Sequence, residues 1–306
     1  MHRHPAAPPT TARSPAAALT SHTPGQMASM ACLLEITAPK PGNVHRGADF
    51  DDLTFLDLAL AAVAIGPAFD RAATRSVGAT VLAAIEATRR VVATNANLGT
   101  VLLLAPLAAV PAERPLASGV ADVLGRLSAD DARDVYAAIR LAAPGGLGQV
   151  DEADVSQPPP SDLLYAMQLA ADRDLVARQY VENFATLLGA VVPSLAAGVA
   201  AGWPLADVVV RAQLKLMADE PDSLIARKCG PEVARQASVR AAAALAAGRP
   251  GDDVYHHAVA DLDFWLRADH HRRNPGTTAD LIAAGLFVCL REGIIKAPLA
   301  MYGPMC

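Results

Sequence analysis

Val77-Gly-Ala-Thr-Val81-Leu82-Ala-Ala-Ile85-Glu-Ala-Thr-Arg-Arg-Val-Val92 spaces its large apolar residues three, four and seven apart. That spacing lays Val77, Val81, Leu82, Ile85 and Val92 on one face of an α-helix. Outward from this segment the same period recurs over 27–36, 54–65, 162–188, 205–217, 231–247, 254–266 and 278–290. Ser128 followed by Asp131 reads as a capping box opening a further helix, which stops at Pro144-Gly145-Gly146. Strand-like alternation is nearly absent and no repeat of solenoid period is found. The expectation is an all-α fold, a single-domain multi-helix bundle over 27–306.

Composition agrees with helices packed closely on one another. Hydrophobic residues make up 52% of the 306 residues and aromatics 4%, so Ala, Leu and Val must build the core. A chain of this length buries enough apolar surface to fold without a disulfide or metal staple. The stretches 91–112 and 183–206 are long and uncharged, but Asn95, Asn97, Pro106 and Pro111 interrupt the first, and Pro193 and Pro204 the second. Both fall short of the ~20 apolar residues of a transmembrane helix and read as buried core, so no membrane partner is expected. Residues 1–26 hold five prolines and no acidic residue, and read as a disordered Pro/Ala-rich tail with neither a secretory nor a transit signature.

The net charge of −5 supplies no basic field for nucleic acid, so any anion site must be local. Cys32, Cys229, Cys289 and Cys306 form no CxxC pair, which argues against a zinc knuckle or disulfide framework and for a reducing, cytoplasmic location. His256, His257, Asp261, His270 and His271 offer one helical pair and too few convergent ligands for a catalytic transition metal.

The first candidate site is Glu35-Ile-Thr-Ala-Pro39-Lys40-Pro41-Gly42-Asn43-Val44-His45-Arg46-Gly47-Ala48-Asp49-Phe50. Its prolines fix an irregular turn, and Gly42 and Gly47 would let backbone amides approach a ligand. Lys40, His45 and Arg46 supply positive donors on what reads as an exposed loop, so the reading is a phosphate pocket. Glu35, Asp49, Asp51 and Asp52 are candidate holders of the Mg2+ that travels with a polyphosphate, as are Asp219, Glu220 and Asp222 further on. Asn95 and Asn97 offer neutral amides to a nucleotide, although helix capping explains one of them. Gly276, Thr277 and Asp280 open the last helix, whose free amides attract anions, with Arg272 and Arg273 just before it.

Four ordered blocks resemble the triphosphoribosyl-dephospho-CoA synthase family: Pro39-Lys40-Pro41-Gly42 with Gly47-Ala48, Thr94 to Gly99, Leu216 to Ser223, and Asn274 to Leu281. Together they span nearly all of 27–292. The blocks depart from the family pattern at Asn97 and Leu98, where His-Lys is usual, at Arg227 to Gly230, and at Asp49, which stands where a histidine follows Gly-Ala. The resemblance implies an all-α transferase that uses ATP with Mg2+. It displaces adenine and leaves a triphosphoribosyl group on the ribose 2′-hydroxyl of dephospho-CoA or a related acceptor. The product becomes a prosthetic group, which implies an acyl carrier protein pathway downstream.

Such a reaction needs carboxylates beside the ribose C1′ and groups that move protons. His45, Asp49 and Asp52 are the candidates for catalysis. Lys40, Gly42, Arg46, Asn95, Asn97, Arg273, Gly276, Thr277 and Asp280 are expected to hold the nucleotide, and Glu35, Asp49, Asp219 and Asp222 the metal. Two alternatives stay open: a Mg2+-dependent all-α hydrolase of an N-ribosyl bond, and a catalytically inactive nucleotide-binding helical protein. If the leading reading holds, Lys40, Asp49, Asn97 and Asp280 should line one pocket.

Overall fold

The computed structural model describes residues 22–144 and 152–303. Its helices, in chain order, are α1 (Pro24–Thr37), α2 (Phe55–Ala64), α3 (Gly66–Phe69), α4 (Val77–Arg89), α5 (Leu98–Ala109), α6 (Leu116–Leu124), α7 (Ala129–Ala142) and α8 (Leu163–Ala170). They continue as α9 (Leu175–Val181), α10 (Val192–Ala200), α11 (Leu205–Asp219), α12 (Ser223–Cys229), α13 (Pro231–Ala246), α14 (Asp253–Arg267) and α15 (Gly276–Arg291). Among the described residues there is no strand, only an isolated bridge between His45 and Ala48. No helix among them is long and apolar enough to cross a membrane. The all-α expectation holds.

Two helices organise the packing because they are apolar on every side. In α15 every residue from Leu281 to Cys289 is buried, and in α5 burial runs unbroken from Thr100 to Ala108. A helix without a polar face must lie inside, and α15 packs on α1, α5, α10 and α11. Pro106 within α5 cannot donate to the carbonyl of Leu102. The hydroxyl of buried Tyr180 donates to that carbonyl instead, at 2.7 Å, so the helix tolerates its proline. A smaller apolar cluster joins α11, α12, α13 and α14 through Leu214, Met217, Ile225, Ala237, Tyr255 and Leu266. Helix α11 serves both clusters, with Val208, Val209 and Ala212 facing the larger one.

Most expected helices stand within a few residues of their predicted ends, and the differences have local causes. The expected tail reaches residue 26, whereas α1 already starts at Pro24. Thr23 closes a capping box with Gln26, and the Gly25 amide donates to Asp70 at 2.8 Å. Proline at the first helical position fits a helix start as well as a tail. Residues 1–21 lie outside the described residues, as do Gly145 and Gly146. The single helix expected over 162–188 is broken: Asp162 and Asp174 each cap a new helix with their carboxylates, and Asn183 and Phe184 take positive φ of 50° and 63°. Helix α12 was missed because Asp222, read as a metal ligand, is its N-cap.

Candidate active site

One cleft of about 1140 Å3 runs through the molecule where the 39–53 segment, the start of α5, α7, α8, α9, α12 and the start of α15 meet. The rigid turn at Pro39 to Asn43 lies behind it and brings Asn43 and Val44 to the lining. Gly42 adopts φ 76°, and a side chain there would press on Leu266 and Pro275, so only glycine lets this turn seat against α14 and α15. Asn43 donates to Oδ1 of Asn274 at 2.6 Å and to the carbonyl of Pro275 at 3.3 Å, while Gln213 donates to Oδ1 of Asn43 at 2.8 Å and to the carbonyl of Pro41 at 3.0 Å. The first two bonds join segments more than two hundred residues apart in sequence, and the Gln213 bonds add α11 to them. The N-terminal turn and the start of the last helix are brought together, but of Lys40, Asp49, Asn97 and Asp280, expected to line one pocket, only Asn97 and Asp280 do.

Within the cleft the carboxyl of Asp280 is displaced far from ordinary behaviour. It projects from the second turn of α15 and accepts from the Thr100 hydroxyl at 2.6 Å. Burial, with the negative charges of Glu35, Asp174 and Asp222, pushes its pKa up to about 7. Gly99 leaves the space that Asp280 occupies: a Cβ there would overlap the carboxylate. Glu35 lines the same cleft. Burial raises its pKa and Lys40, whose ammonium lies 2.7 Å from Oε1, opposes that rise. Asp280 and Glu35 thus form an anionic centre in which one member holds a proton near neutrality.

Basic groups stand at the rim. Arg227 and Lys228 lie at the end of α12, Arg173 in the turn before α9, and His270, His271 and Arg272 in the loop before α15. Arg227 meets Asp174 at 3.4 Å, and Arg272 donates to the Lys228 carbonyl at 2.8 Å, tying that loop to α12. His270 and His271 take positive φ of 46° and 59°, and the ring of His271 stacks on Phe50 at 4.0 Å.

Of the residues expected at the site, Glu35, Asp52, Asn95, Asn97, Gly276, Thr277 and Asp280 line the cleft; the rest do not. Lys40 is fully buried rather than on an exposed loop, its charge spent on Glu35. The Gly42 amide donates to Asp263 at 2.7 Å and is not free for a ligand. His45 lies half-buried with Nδ1 accepting from Gly47 at 3.1 Å, and burial, Arg267 and Lys40 hold its pKa below the usual value. Arg46 is exposed, over the Tyr302 ring. Asp49 is exposed and accepts from the Phe55 amide at 2.6 Å, as a helix start requires.

Arg273 stacks on Trp265 and donates to its carbonyl at 2.9 Å, so the basic residue facing the cleft is Arg272. Asp219 pairs with Lys215 at 3.0 Å on the surface. Asp222 is buried and accepts from the amides of Leu224, Ile225 and Thr278 and from the Thr278 hydroxyl, so its lone pairs are taken. The expected metal set of Glu35, Asp49, Asp219 and Asp222 is therefore not assembled. Among the described residues no group of three or more His, Cys, Asp or Glu is placed to hold a metal ion.

The two asparagines divide their roles. Asn95 accepts from the Leu98 amide at 3.2 Å, which is the capping role. Asn97 accepts from the Thr88 hydroxyl at 3.2 Å, while its buried Nδ2 has no partner in the protein. Sequence reasoning missed Thr100, Asp174, Arg173 and the Arg227-Lys228 pair as cleft residues. Only Arg227 and Lys228 carried a signal, through their position after the third block.

The chain matches the model of the ATP:dephospho-CoA triphosphoribosyl transferase family over residues 21–298. A solved structure from Archaeoglobus fulgidus, which carries the provisional name triphosphoribosyl-dephospho-CoA synthase, is similar over 77% of this chain and 99% of its own. The TM-score is 0.61 and the sequence identity 27%. No curated protein matches the sequence.

Proposed function

The chain belongs to the ATP:dephospho-CoA triphosphoribosyl transferase family and is a transferase enzyme, and on that premise we propose that it moves the triphosphoribosyl group of ATP to the ribose 2′-hydroxyl of dephospho-CoA, releasing adenine. The observation that carries this reading is Asp280, a carboxyl held at about pKa 7 beside Glu35 in a cleft larger than one nucleotide needs. Cleaving the bond between C1′ and adenine gives the ribose oxocarbenium character, which nearby carboxylates stabilise. Glu35, paired with Lys40 at 2.7 Å, has that role. Protonated Asp280 gives its proton to the departing adenine, and exposed Asp52 takes the proton of the attacking hydroxyl, so the proton count closes.

The triphosphate lies along Arg227, Lys228 and Arg272, which leaves Arg173 for the acceptor. Asn97 donates its unpaired Nδ2 to the nucleotide. A Mg2+ that arrives with ATP would be held by the exposed carboxyl of Asp172 together with the substrate phosphates, since Asp174 is engaged by the α9 amides and Arg227, and Mg2+ is commonly held by one or two carboxylates plus substrate phosphates. The ion would neutralise phosphate charge there. The product is of the kind that becomes a carrier-protein prosthetic group.

Incubation with ATP, Mg2+ and dephospho-CoA tests the reading. Adenine release that depends on the acceptor supports transfer. Acceptor-independent release would make the protein a hydrolase, and nucleotide binding without release an inactive binder.

A further inference from the structure

The transfer chemistry accounts for the carboxylate centre and the basic rim but leaves one wall of the cleft unused. That wall is made by α7 and α8. From α8 come Ala166 and Ala170, with Met167 beside them and Leu163 buried beneath, spaced three, four and seven apart so that one helical face is turned to the cleft; from α7 comes Ile139, with Val135 buried one turn behind it. None of the six carries a polar side-chain group other than the soft thioether of Met167, which adapts to flexible chains. No phosphate or ribose hydroxyl gains from such a surface. It suits an uncharged, flexible chain that enters the cleft with a nucleotide.

Resting on the transferase reading above, we propose that this wall is a subsite for the pantetheine chain of the acceptor, so that the acceptor is recognised by the part of the molecule farthest from the reacting hydroxyl. The wall is continuous with the basic rim, since Asp172, Arg173 and Asp174 follow α8 directly and lead into α9. An acceptor whose diphosphate lies on Arg173 therefore presents its chain to α8 and its adenosine ribose towards Asp280. Apolar contacts to the chain are made equally before and during reaction. They act on acceptor affinity and on choosing dephospho-CoA over ATP or ADP as the attacking alcohol.

The test compares dephospho-CoA with the β-methyl ester of ADP, which keeps adenosine and diphosphate but lacks the chain. With ATP and Mg2+ saturating, kcat/KM for dephospho-CoA is expected to exceed that of the ester by roughly tenfold or more, the order that burying about two methylenes supplies. Ala166→Asp, which puts a charge on the half-exposed wall without opening the core, is expected to remove most of that difference while leaving the KM for ATP and the rate with the ester unchanged. Equal use of both acceptors by the unaltered protein, with adenine still released, overturns the subsite and leaves the transferase reading standing. A preference for dephospho-CoA that survives Ala166→Asp also overturns it. If neither acceptor supports adenine release, the transferase reading fails. Calorimetric titration of the same two compounds then decides the subsite by itself, equal affinities overturning it.

Discussion

The hydroxyl of Thr100 lies 2.6 Å from Oδ1 of Asp280, and the residue before it, Gly99, is the one position on α5 where a side chain would collide with that carboxyl. A hydroxyl donor and a missing side chain, adjacent on one helix, therefore fix where the acid of the cleft stands. Neither is visible as chemistry in the sequence.

Gly99→Ala tests that placement. Alanine in the first turn of a helix ordinarily stabilises slightly, by about 0.4–1 kcal/mol. Here it must push Asp280 aside, and a displacement of this kind costs roughly 100-fold in rate. The expected outcome is an adenine-release rate lowered by that order with a thermal melt lowered only slightly. An unaltered rate removes Asp280 from the chemistry.

Asp280→Asn tests the titration. Burial, with the charges of Glu35, Asp174 and Asp222, raises this carboxyl to about 7 in the folded protein. A folded-state pKa above the unfolded one means that the group stabilises the fold fully below its unfolded value and loses that contribution as pH rises through about 7. The melting temperature of the variant relative to the unaltered protein should therefore rise between about pH 4 and pH 8. Activity in the unaltered protein should fall above neutrality as Asp280 loses its proton, and the variant should lack that limb. A stability difference flat with pH contradicts the assignment.

Lys40→Ala is expected to unfold rather than merely weaken binding. It strips the partner from Glu35 in a site where Lys40 has no solvent exposure, and breaking a buried pair costs about 3–5 kcal/mol. The double variant Glu35→Gln/Lys40→Met should melt closer to the unaltered protein, because no buried charge is left alone. Thermal melts of the two variants check this; equal destabilisation would show that the pair does not act as a unit.

Asp222→Ala removes four hydrogen bonds at once, from the amides of Leu224, Ile225 and Thr278 and the Thr278 hydroxyl. A loss on the order of 3 kcal/mol is expected. The Mg2+ concentration giving half-maximal activity should stay where it is, since the carboxylate has no lone pair to spare for a metal. A shift in that concentration would restore Asp222 to the ligand list.

Truncation separates residues 22–26 from the preceding segment. Removing 1–26 takes away the Thr23 cap and the bond from Gly25 to Asp70, at a cost of about 1 kcal/mol relative to removing 1–21. Paired chemical denaturation of the two truncated chains measures the difference, and coincident curves would mean that α1 is held by its packing on α15, α2 and α3 without help from the cap.

The sequence by itself determined the helices, because helical periodicity, caps and prolines act over a few residues. The segment from Val77 stands as a helix for the reason its spacing implies, and the box at Ser128 and Asp131 forms as written. The ordered blocks marked Pro39 to Asn43 and the start of the last helix as segments to watch, and only the tertiary structure brought them together. What the sequence also left open was the use of each charge. Lys40 and Asp222 read as ligand groups because a charged residue in a loop is indistinguishable, in one dimension, from a charge buried against a partner far along the chain. Only the packing of α1, α5, α12 and α15 decided that Lys40 neutralises Glu35, that Asp222 clamps Thr278, and that Asp280 stands among carboxylates. The cost of burying a charge depends on neighbours and dielectric surroundings that exist only once the helices are assembled.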